Sequence, residues 1–108
     1  LRPRFFRAPA GLRNPFLDPV LQRLDLKLVS WTRRGFDTVH HDPERVLTAL
    51  TRNLTAGDIV LLHDGNAALA ASGKPVALEV LPALLRRFDA DHLRAVTLAD
   101  AVPFAPEA

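Results

Sequence analysis

The sequence places an arginine, an aspartate and a histidine where catalytic side chains are often found. Arg7 and His63 closely follow apolar residues, and Asp37 lies in the polar loop after the predicted strand at 26–31. Histidine titrates near neutral pH, so it can act as a general acid or base. A carboxylate can orient an imidazole and stabilise its charged form, and an arginine can hold an anionic group with its forked donors. Together these residue types indicate proton-transfer chemistry.

Each of the three residues also has a purely structural interpretation. His63 can bond to a neighbouring carbonyl, Asp37 can cap its own loop, and Arg7 can be a solvated surface side chain. A position at the end of a strand favours a functional histidine without excluding the structural alternative. Convergence of all three residues on one site would be a stronger indication than any one of them.

Other polar residues give weaker indications. His40, His41 and Asp42 have the side chains of metal ligands, but adjacent histidines in an extended loop point apart, and Asp42 is placed to cap a helix. Ser30 and Ser72 lack the Gly-x-Ser-x-Gly context of a nucleophilic serine. The sequence therefore predicts no metal ligands in this chain and no serine catalysis.

Apolar, capping and turn residues predict the elements that position these side chains. The apolar run at 59–62 is uninterrupted, as in a strand covered on both faces. A helix begins at Asp42-Pro43 and is closed by Gly57. Its apolar stripe is Val46, Leu47, Leu50 and Leu54. The other predicted strands end at Phe6 and span 26–31 and 95–98, and 32–41 is predicted to be a loop. One further helix is predicted with Val20, Leu21 and Leu24 on its apolar face. Another is predicted at 75–88, with a kink or a late start at Pro82.

The predicted order of elements is β-α-β-α-β-α-β, with no internal repeat. Alternation of this kind predicts a parallel sheet with right-handed crossovers. A doubly wound sheet and part of an α/β barrel both fit the order. In either fold the loops after Phe6, Trp31 and Leu62 open at the same edge, so the three polar residues are expected to converge there.

Size and composition bound the class of protein. With 108 residues, of which 48% are hydrophobic and 24% charged, the chain has the composition of one globular domain. It contains no cysteine, which excludes disulfides and thiolate metal sites. No apolar run approaches the ~20 residues of a membrane-spanning helix. The chain begins with Leu1 and has no methionine, so we expect it to be part of a longer protein.

The basic N-terminal stretch supports an alternative of another class. Four arginines between Arg2 and Arg13 flank two phenylalanines, a combination that can contact phosphates. The formal net charge is only +2, which favours a solvated arm instead. A basic α/β module that binds nucleic acid, with an affinity that falls steeply with salt, therefore ranks behind catalysis.

Three segments, in order, resemble motifs of one enzyme family. FRAPAG (6–11), SWTRRGFD (30–37) and IVLLHDG (59–65) resemble the third, fourth and fifth motifs of the polysaccharide deacetylase family, the metal-dependent carbohydrate esterases with a NodB homology domain. The order and spacing of the motifs agree with the family, and the resemblance covers nearly the whole chain. The matching positions are Arg7, Pro9 and Gly11 in the third motif, Asp37 in the fourth, and Leu61 and His63 in the fifth.

The resemblance implies a portion of a distorted (β/α) barrel of the glycoside hydrolase/deacetylase type. It implies hydrolysis of acetyl groups on N-acetylated or O-acetylated polysaccharides or oligosaccharides, with a divalent metal, often zinc. By the resemblance, His63 is the general acid that protonates the leaving amine, Asp37 orients it, and Arg7 positions the catalytic base. These roles agree with the chemistry of the three residue types.

The same resemblance implies a set of residues that contact the substrate. The backbone N–H of Ala10, next to Pro9, would help to bind the tetrahedral oxyanion, and Leu61 would line the pocket for the acetyl methyl group. Thr38 stands where the family commonly has a tryptophan, so Trp31 or Phe36 is expected to form the pocket wall instead.

Two further departures raise the alternative of an inactive relative that binds sugar without hydrolysing it. Ala10 replaces the usual tyrosine of the third motif, which removes a ring that faces the sugar. Arg34 stands where an additional acid is frequent in the fourth motif.

The first two motifs of the family, an Asp-Asp pair and His-x-x-x-His, are absent from the chain. In the family they supply the base and the metal ligands, so both are expected upstream of Leu1. Residues 1–108 are accordingly predicted to be the C-terminal half of a deacetylase catalytic domain, inactive in isolation. The sheet edges of such a half are expected to favour pairing with another copy of the chain.

Overall fold

The computed structural model describes residues 2–102, which form a mixed α/β structure with four α-helices and short strands in two small sheets. Strands β1 to β4 comprise Phe5–Phe6, Lys27–Leu28, Arg33–Arg34 and Val60–Leu61. Helices α1 to α4 comprise Leu17–Arg23, Pro43–Thr51, Val76–Ala90 and Leu98–Ala101, and a 3-10 helix comprises Pro9–Gly11. Within the described residues no helix is long and apolar enough to cross a membrane.

The chain divides into two compact units, one ending at Trp31 and the other beginning at Thr32. The first contains β1, α1 and β2, and its two strands pair in parallel. The second contains β3, α2 and β4, again with a parallel strand pair, followed by α3 and α4. The predicted parallel pairing is confirmed for β1 and β2, whereas β4 pairs in parallel with β3, a strand that was not predicted. The four described strands form two sheets and do not show a barrel.

In the first unit, a strand and a helix form where the sequence predicts them. The Asn14 side chain accepts a hydrogen bond from the Phe16 backbone N–H at 2.9 Å, and α1 begins at the next residue. Asp18 does not begin this helix but lies in its first turn, where it pairs with Arg13 at 3.2 Å. Of the predicted apolar face of α1, Leu21 is buried, whereas Val20 and Leu24 are exposed, so the prediction was wrong for these two residues.

The core of the second unit lies between α2 and α3. Asp42 caps α2 by accepting a hydrogen bond from the Glu44 backbone N–H at 3.0 Å, which confirms the predicted helix start. The fully buried residues of both helices recur every four positions, so each helix presents one apolar stripe. The buried core comprises Val46, Leu50, Ala68, Ala70, Val76, Val80 and Leu84.

The prediction that 32–41 is entirely loop was wrong, because this segment contains β3. Two consecutive arginines carry no apolar signal, but a strand ladder is made by backbone groups, and β3 pairs with the partly buried β4. The Arg33 guanidinium also pairs at 3.1 Å with Asp58, which lies two residues before β4. This ion pair holds β3 beside the start of β4. The described order is thus β-α-β-β-α-β-α-α, and not the predicted alternation.

The strand predicted at 95–98 was also wrong. Residues 93–97 have no regular structure, and Thr97 accepts a hydrogen bond from the Asp100 backbone N–H at 3.3 Å. Threonine is a good N-cap residue, so the chain begins the short helix α4 at Leu98 instead. The prolines after Val102 also predict a frayed tail, and these residues lie outside the described part of the chain.

Two helix boundaries differ from the prediction. Helix α2 ends at Thr51, before Leu54 and Gly57, and the backbone turns to an extended conformation at Arg52. Helix α3 already begins at Val76 and continues through Pro82, so of the two predicted alternatives the late start was wrong, and the kink stays a prediction. Pro82 and the preceding turn at Leu78 are exposed, which allows water to bond to the carbonyl that lacks a helical partner.

Gly35→Ala is expected to lower the free energy of unfolding by about 1–3 kcal/mol, the usual cost of overpacking a core. A methyl group at Gly35 would lie 2.7 Å from Val46 Cγ1, 3.0 Å from the Val46 carbonyl and 3.1 Å from Leu50 Cγ. Urea denaturation measures the effect. Gly65→Ala is the matched control, because nothing lies within 4 Å of its added methyl group; equal loss in both variants would contradict the packing argument.

Candidate active site

Asp37 and His63 come together because the strands that precede them are parallel neighbours. Arg34 of β3 is in register with Leu61 of β4, so both strands end at the same edge. Two residues separate Arg34 from Asp37, and one residue separates Leu61 from His63. The convergence predicted for Asp37 and His63 is therefore present, although β3 was not predicted as a strand.

The two carboxylate oxygens of Asp37 are both hydrogen-bonded to His63. Oδ1 lies 2.9 Å from His63 Nδ1, and Oδ2 accepts the His63 backbone N–H at 2.7 Å. The Asp37 residue is only 1% exposed, whereas the His63 side chain is 40% exposed. The backbone carbonyl of Asp37 accepts the Ala68 N–H at 2.8 Å, which ties the carboxylate to the following loop. Asp37 thus holds the histidine from a buried position.

This geometry defines how the His63 ring can act. An ionised carboxylate accepts hydrogen bonds only, so His63 Nδ1 carries the proton that faces Asp37. Nε2, on the opposite side of the ring, makes no hydrogen bond within residues 2–102. Nε2 is therefore the atom that can give or take a proton.

Two other predicted site residues belong to the same unit as the Asp37–His63 pair. Leu61 is buried in β4, and Phe36 directly precedes Asp37 with a left-handed backbone at φ +58°. The Phe36 ring is 43% exposed and lies between Arg34, whose guanidinium carbon is 4.2 Å from the ring centroid, and His40, whose ring centroid is 5.9 Å away. Phe36 therefore presents a partly covered aromatic surface.

The remaining predicted site residues lie in the first unit. Arg7 donates to the backbone carbonyls of Val29 at 3.3 Å and Ser30 at 3.1 Å, so it stabilises the segment after β2. Pro9 and Ala10 belong to the 3-10 helix, where Ala10 has a left-handed backbone at φ +54°. The tip of the Trp31 ring lies close to Gly11, since a methyl group there would be 2.9 Å from the ring.

The described residues do not provide the metal site that the resemblance implies for the whole domain. Among residues 2–102, no group of three or more histidine, aspartate or glutamate side chains could hold a metal ion. His41 Nδ1 lies 2.7 Å from the Leu69 carbonyl, and Asp42 caps α2.

A cluster around Asp58 joins β3 to β4 and was not anticipated from the sequence. Asp58 accepts hydrogen bonds from the Thr55 backbone N–H at 2.9 Å and the Thr32 hydroxyl at 2.8 Å, and it pairs with Arg33. The Thr55 N–H, followed by the Thr32 hydroxyl and Arg33, holds the pKa of Asp58 below its usual range. The acid thus stays charged where the strand pair begins.

Asp58→Asn is expected to destabilise the chain at neutral pH and to do so less in acid. Because the pKa of Asp58 is lower in the folded chain than in the unfolded chain, its stabilisation is present above the unfolded value of about 4. It is lost as the pH falls through the lower folded value. Urea denaturation of both proteins across this range measures the difference. A difference that stays constant down to the acid limit would contradict the assignment.

A groove of about 580 Å³ in the second unit was also missed. Its signal in the sequence is the spacing of the polar residues Arg45, Thr48 and Arg52, of which the first two share a face of α2 and the third directly follows this helix. This face of α2 is polar and exposed, whereas the stripe that packs into the core is apolar and buried. The groove is lined by Arg33, Arg34, Phe36, His40, Arg45, Thr48, Ala49 and Arg52.

A scan against protein-family models and a search of curated proteins found no match to this chain.

Proposed function

We propose that this chain is part of a hydrolase that removes acetyl groups from an acetylated polysaccharide or oligosaccharide. The observation that supports this function best is the Asp37–His63 pair at the carboxyl end of two parallel strands. Both oxygens of a buried carboxylate bind one partly exposed histidine at 2.7 and 2.9 Å. This arrangement is suited to a general acid whose ring orientation is fixed.

Hydrolysis of an N-acetyl group needs such an acid. When the carbon–nitrogen bond breaks, the leaving amine requires a proton, because an amide anion is a very poor leaving group. In the proposed reaction His63 donates that proton from Nε2, while Asp37 accepts the hydrogen bond from Nδ1 and holds the ring. His63 is the catalytic residue of this step, and Asp37 is a positioning residue.

The wider proposal is that residues 1–108 form the C-terminal half of a deacetylase domain with a distorted (β/α) barrel. Two successive strand–helix–strand units with parallel strands support it, because such units build barrels of this type. By the resemblance, Arg7 would position the base, the Ala10 N–H would bind the oxyanion, and Trp31 and Leu61 would contact the substrate. The metal ligands would come from motifs that this sequence does not contain.

A sugar-binding relative without hydrolytic activity is the second candidate. It is supported by Arg34, which occupies a motif position where the family frequently has an acid and which lies 4.2 Å from the Phe36 ring. An arginine in place of an acid changes the charge of the candidate site, but it does not prevent the site from contacting a sugar.

Acetate release from N-acetylglucosamine oligomers tests the two candidates. The protein is used with its upstream sequence and with a divalent metal added, and sugar binding is measured in parallel by calorimetry. Metal-dependent release of acetate is the expected result. Binding without release would favour the second candidate, and the absence of both binding and release would contradict both.

A further inference from the structure

The groove beside α2, called here the arginine groove, is lined by Arg33, Arg34, Phe36, Arg45, Thr48 and Arg52 among others. Its volume of about 580 Å³ is in the range of sites that hold small ligands. None of the lining residues, all within 2–102, is acidic. Four guanidinium groups therefore face one concave surface of a chain whose formal net charge is only +2.

The arginines of the groove differ in how their charge is compensated. Arg33 pairs with Asp58 at 3.1 Å and also donates to the Asn53 carbonyl at 2.8 Å, so it is a structural residue. Arg45 and Arg52 are exposed, and their side chains make no hydrogen bond or ion pair within the described part of the chain. Two guanidinium forks are thus free to bind an anion.

The spacing of these two arginines indicates the kind of anion. Arg45 lies in α2 and Arg52 directly follows the last residue of this helix, so their Cα atoms are about 10 Å apart. Because the two side chains start two turns apart, they are well placed to contact separate anionic groups. The arrangement therefore favours an extended ligand with at least two anionic groups, each of which a guanidinium can bind through two parallel hydrogen bonds.

We propose that the arginine groove binds an acidic oligosaccharide that carries uronic acid carboxylates. Arg45 and Arg52 bind carboxylates on separate sugar residues, while the Phe36 ring and the Thr48 hydroxyl contact the sugar between them. The choice of a sugar rests on the proposed function, because Phe36 directly precedes Asp37 and so connects the groove to the Asp37–His63 pair. The proposal adds a substrate class, namely an acidic acetylated glycan.

A single-stranded nucleic acid fits the groove less well. Proteins that bind single strands commonly stack successive bases on several aromatic side chains. Among its lining residues the groove has Phe36 and the smaller ring of His40, and the Arg34 guanidinium already covers part of Phe36. The geometry favours contacts to anionic groups at fixed spacing over base stacking.

Calorimetric titration of the chain with oligogalacturonate at low salt tests this proposal. The double variant Arg45→Gln/Arg52→Gln is expected to weaken binding by about tenfold or more, since two charge-assisted contacts are lost. The matched control, Arg23→Gln/Arg86→Gln, removes the same charge from exposed positions outside the groove and should bind like the wild type. Thermal unfolding of both variants verifies that they are folded.

The outcomes separate this proposal from the proposed function. Equal weakening in both double variants, equal affinity for a neutral N-acetylglucosamine oligomer, or tighter binding of oligothymidylate would overturn the acidic glycan as ligand. If acetate release is absent while groove-dependent binding persists, the hydrolytic function fails and the binding surface stands.

Discussion

His63→Gln is expected to lower the rate of acetate release by about 10²–10⁴-fold, the usual contribution of one positioned general acid. Glutamine is similar in size, and its amide can still donate to the Asp37 carboxylate, which lies 2.9 Å from the native ring nitrogen. The fold should therefore be retained. The amide cannot transfer a proton to a leaving amine, so kcat/KM for N-acetylglucosamine oligomers measures the loss of the acid.

Two comparisons distinguish loss of the acid from a general loss of structure. His41→Gln changes another loop histidine of the same unit, which bonds to the Leu69 carbonyl at 2.7 Å, and acetate release should remain close to that of the wild type. An activated aryl acetate has a leaving group that needs no proton, so His63→Gln should lose much less activity on it than on the amide. Similar losses on both substrates would refute the role of His63 as general acid.

Replacing Asp37 is expected to affect stability and activity to different extents in two variants. Asp37→Ala should lower the free energy of unfolding by about 1–3 kcal/mol, because the His63 backbone N–H loses its acceptor. Asp37→Asn should cost less, because the amide oxygen can still accept that N–H while the amide nitrogen donates to His63 Nδ1. Urea denaturation measures both differences.

Asp37→Asn should nevertheless lower acetate release by about 10–100-fold, the usual effect of removing a group that orients a functional imidazole. The amide forces the neutral ring to carry its proton on Nε2, and no carboxylate faces the ring when it becomes charged. Because Asp37 acts through His63, kcat should fall while KM changes little. A stable Asp37→Asn variant with unchanged kcat would leave Asp37 a structural role only.

The β3–β4 pair shows how β3, a strand of two arginines, can position the buried carboxylate of Asp37. Its first residues are held by Asp58, which bonds to Thr32, Arg33 and Thr55. Its far end delivers Asp37 and His63 to the same edge. The ion pair thus lies at one end of the strands and the candidate catalytic pair at the other. Weakening the Asp58 cluster is expected to loosen the strand pair that supports the site.

The sequence by itself determined the elements whose signals lie within a few residues of each other. Asp42 followed by Pro43 marks the start of α2, and the apolar residues Val46 and Leu50 mark its buried face; both interpretations are confirmed. The same holds for the apolar run before His63, which contains β4. A helix cap and an apolar stripe act over one or two turns, so local sequence is sufficient to reveal them.

Only the tertiary structure decided which distant residues meet. Arg33–Arg34 become a strand because their backbone pairs with Val60–Leu61, and no side-chain pattern of β3 indicates this. That pairing places both oxygens of Asp37 on His63, a contact that the sequence suggested without specifying its geometry. Likewise, Arg45 of α2 and Arg52 directly after it form a groove only together with the arginines of β3. Contacts of this kind depend on backbone pairing and packing between separate elements, for which local propensity carries no information.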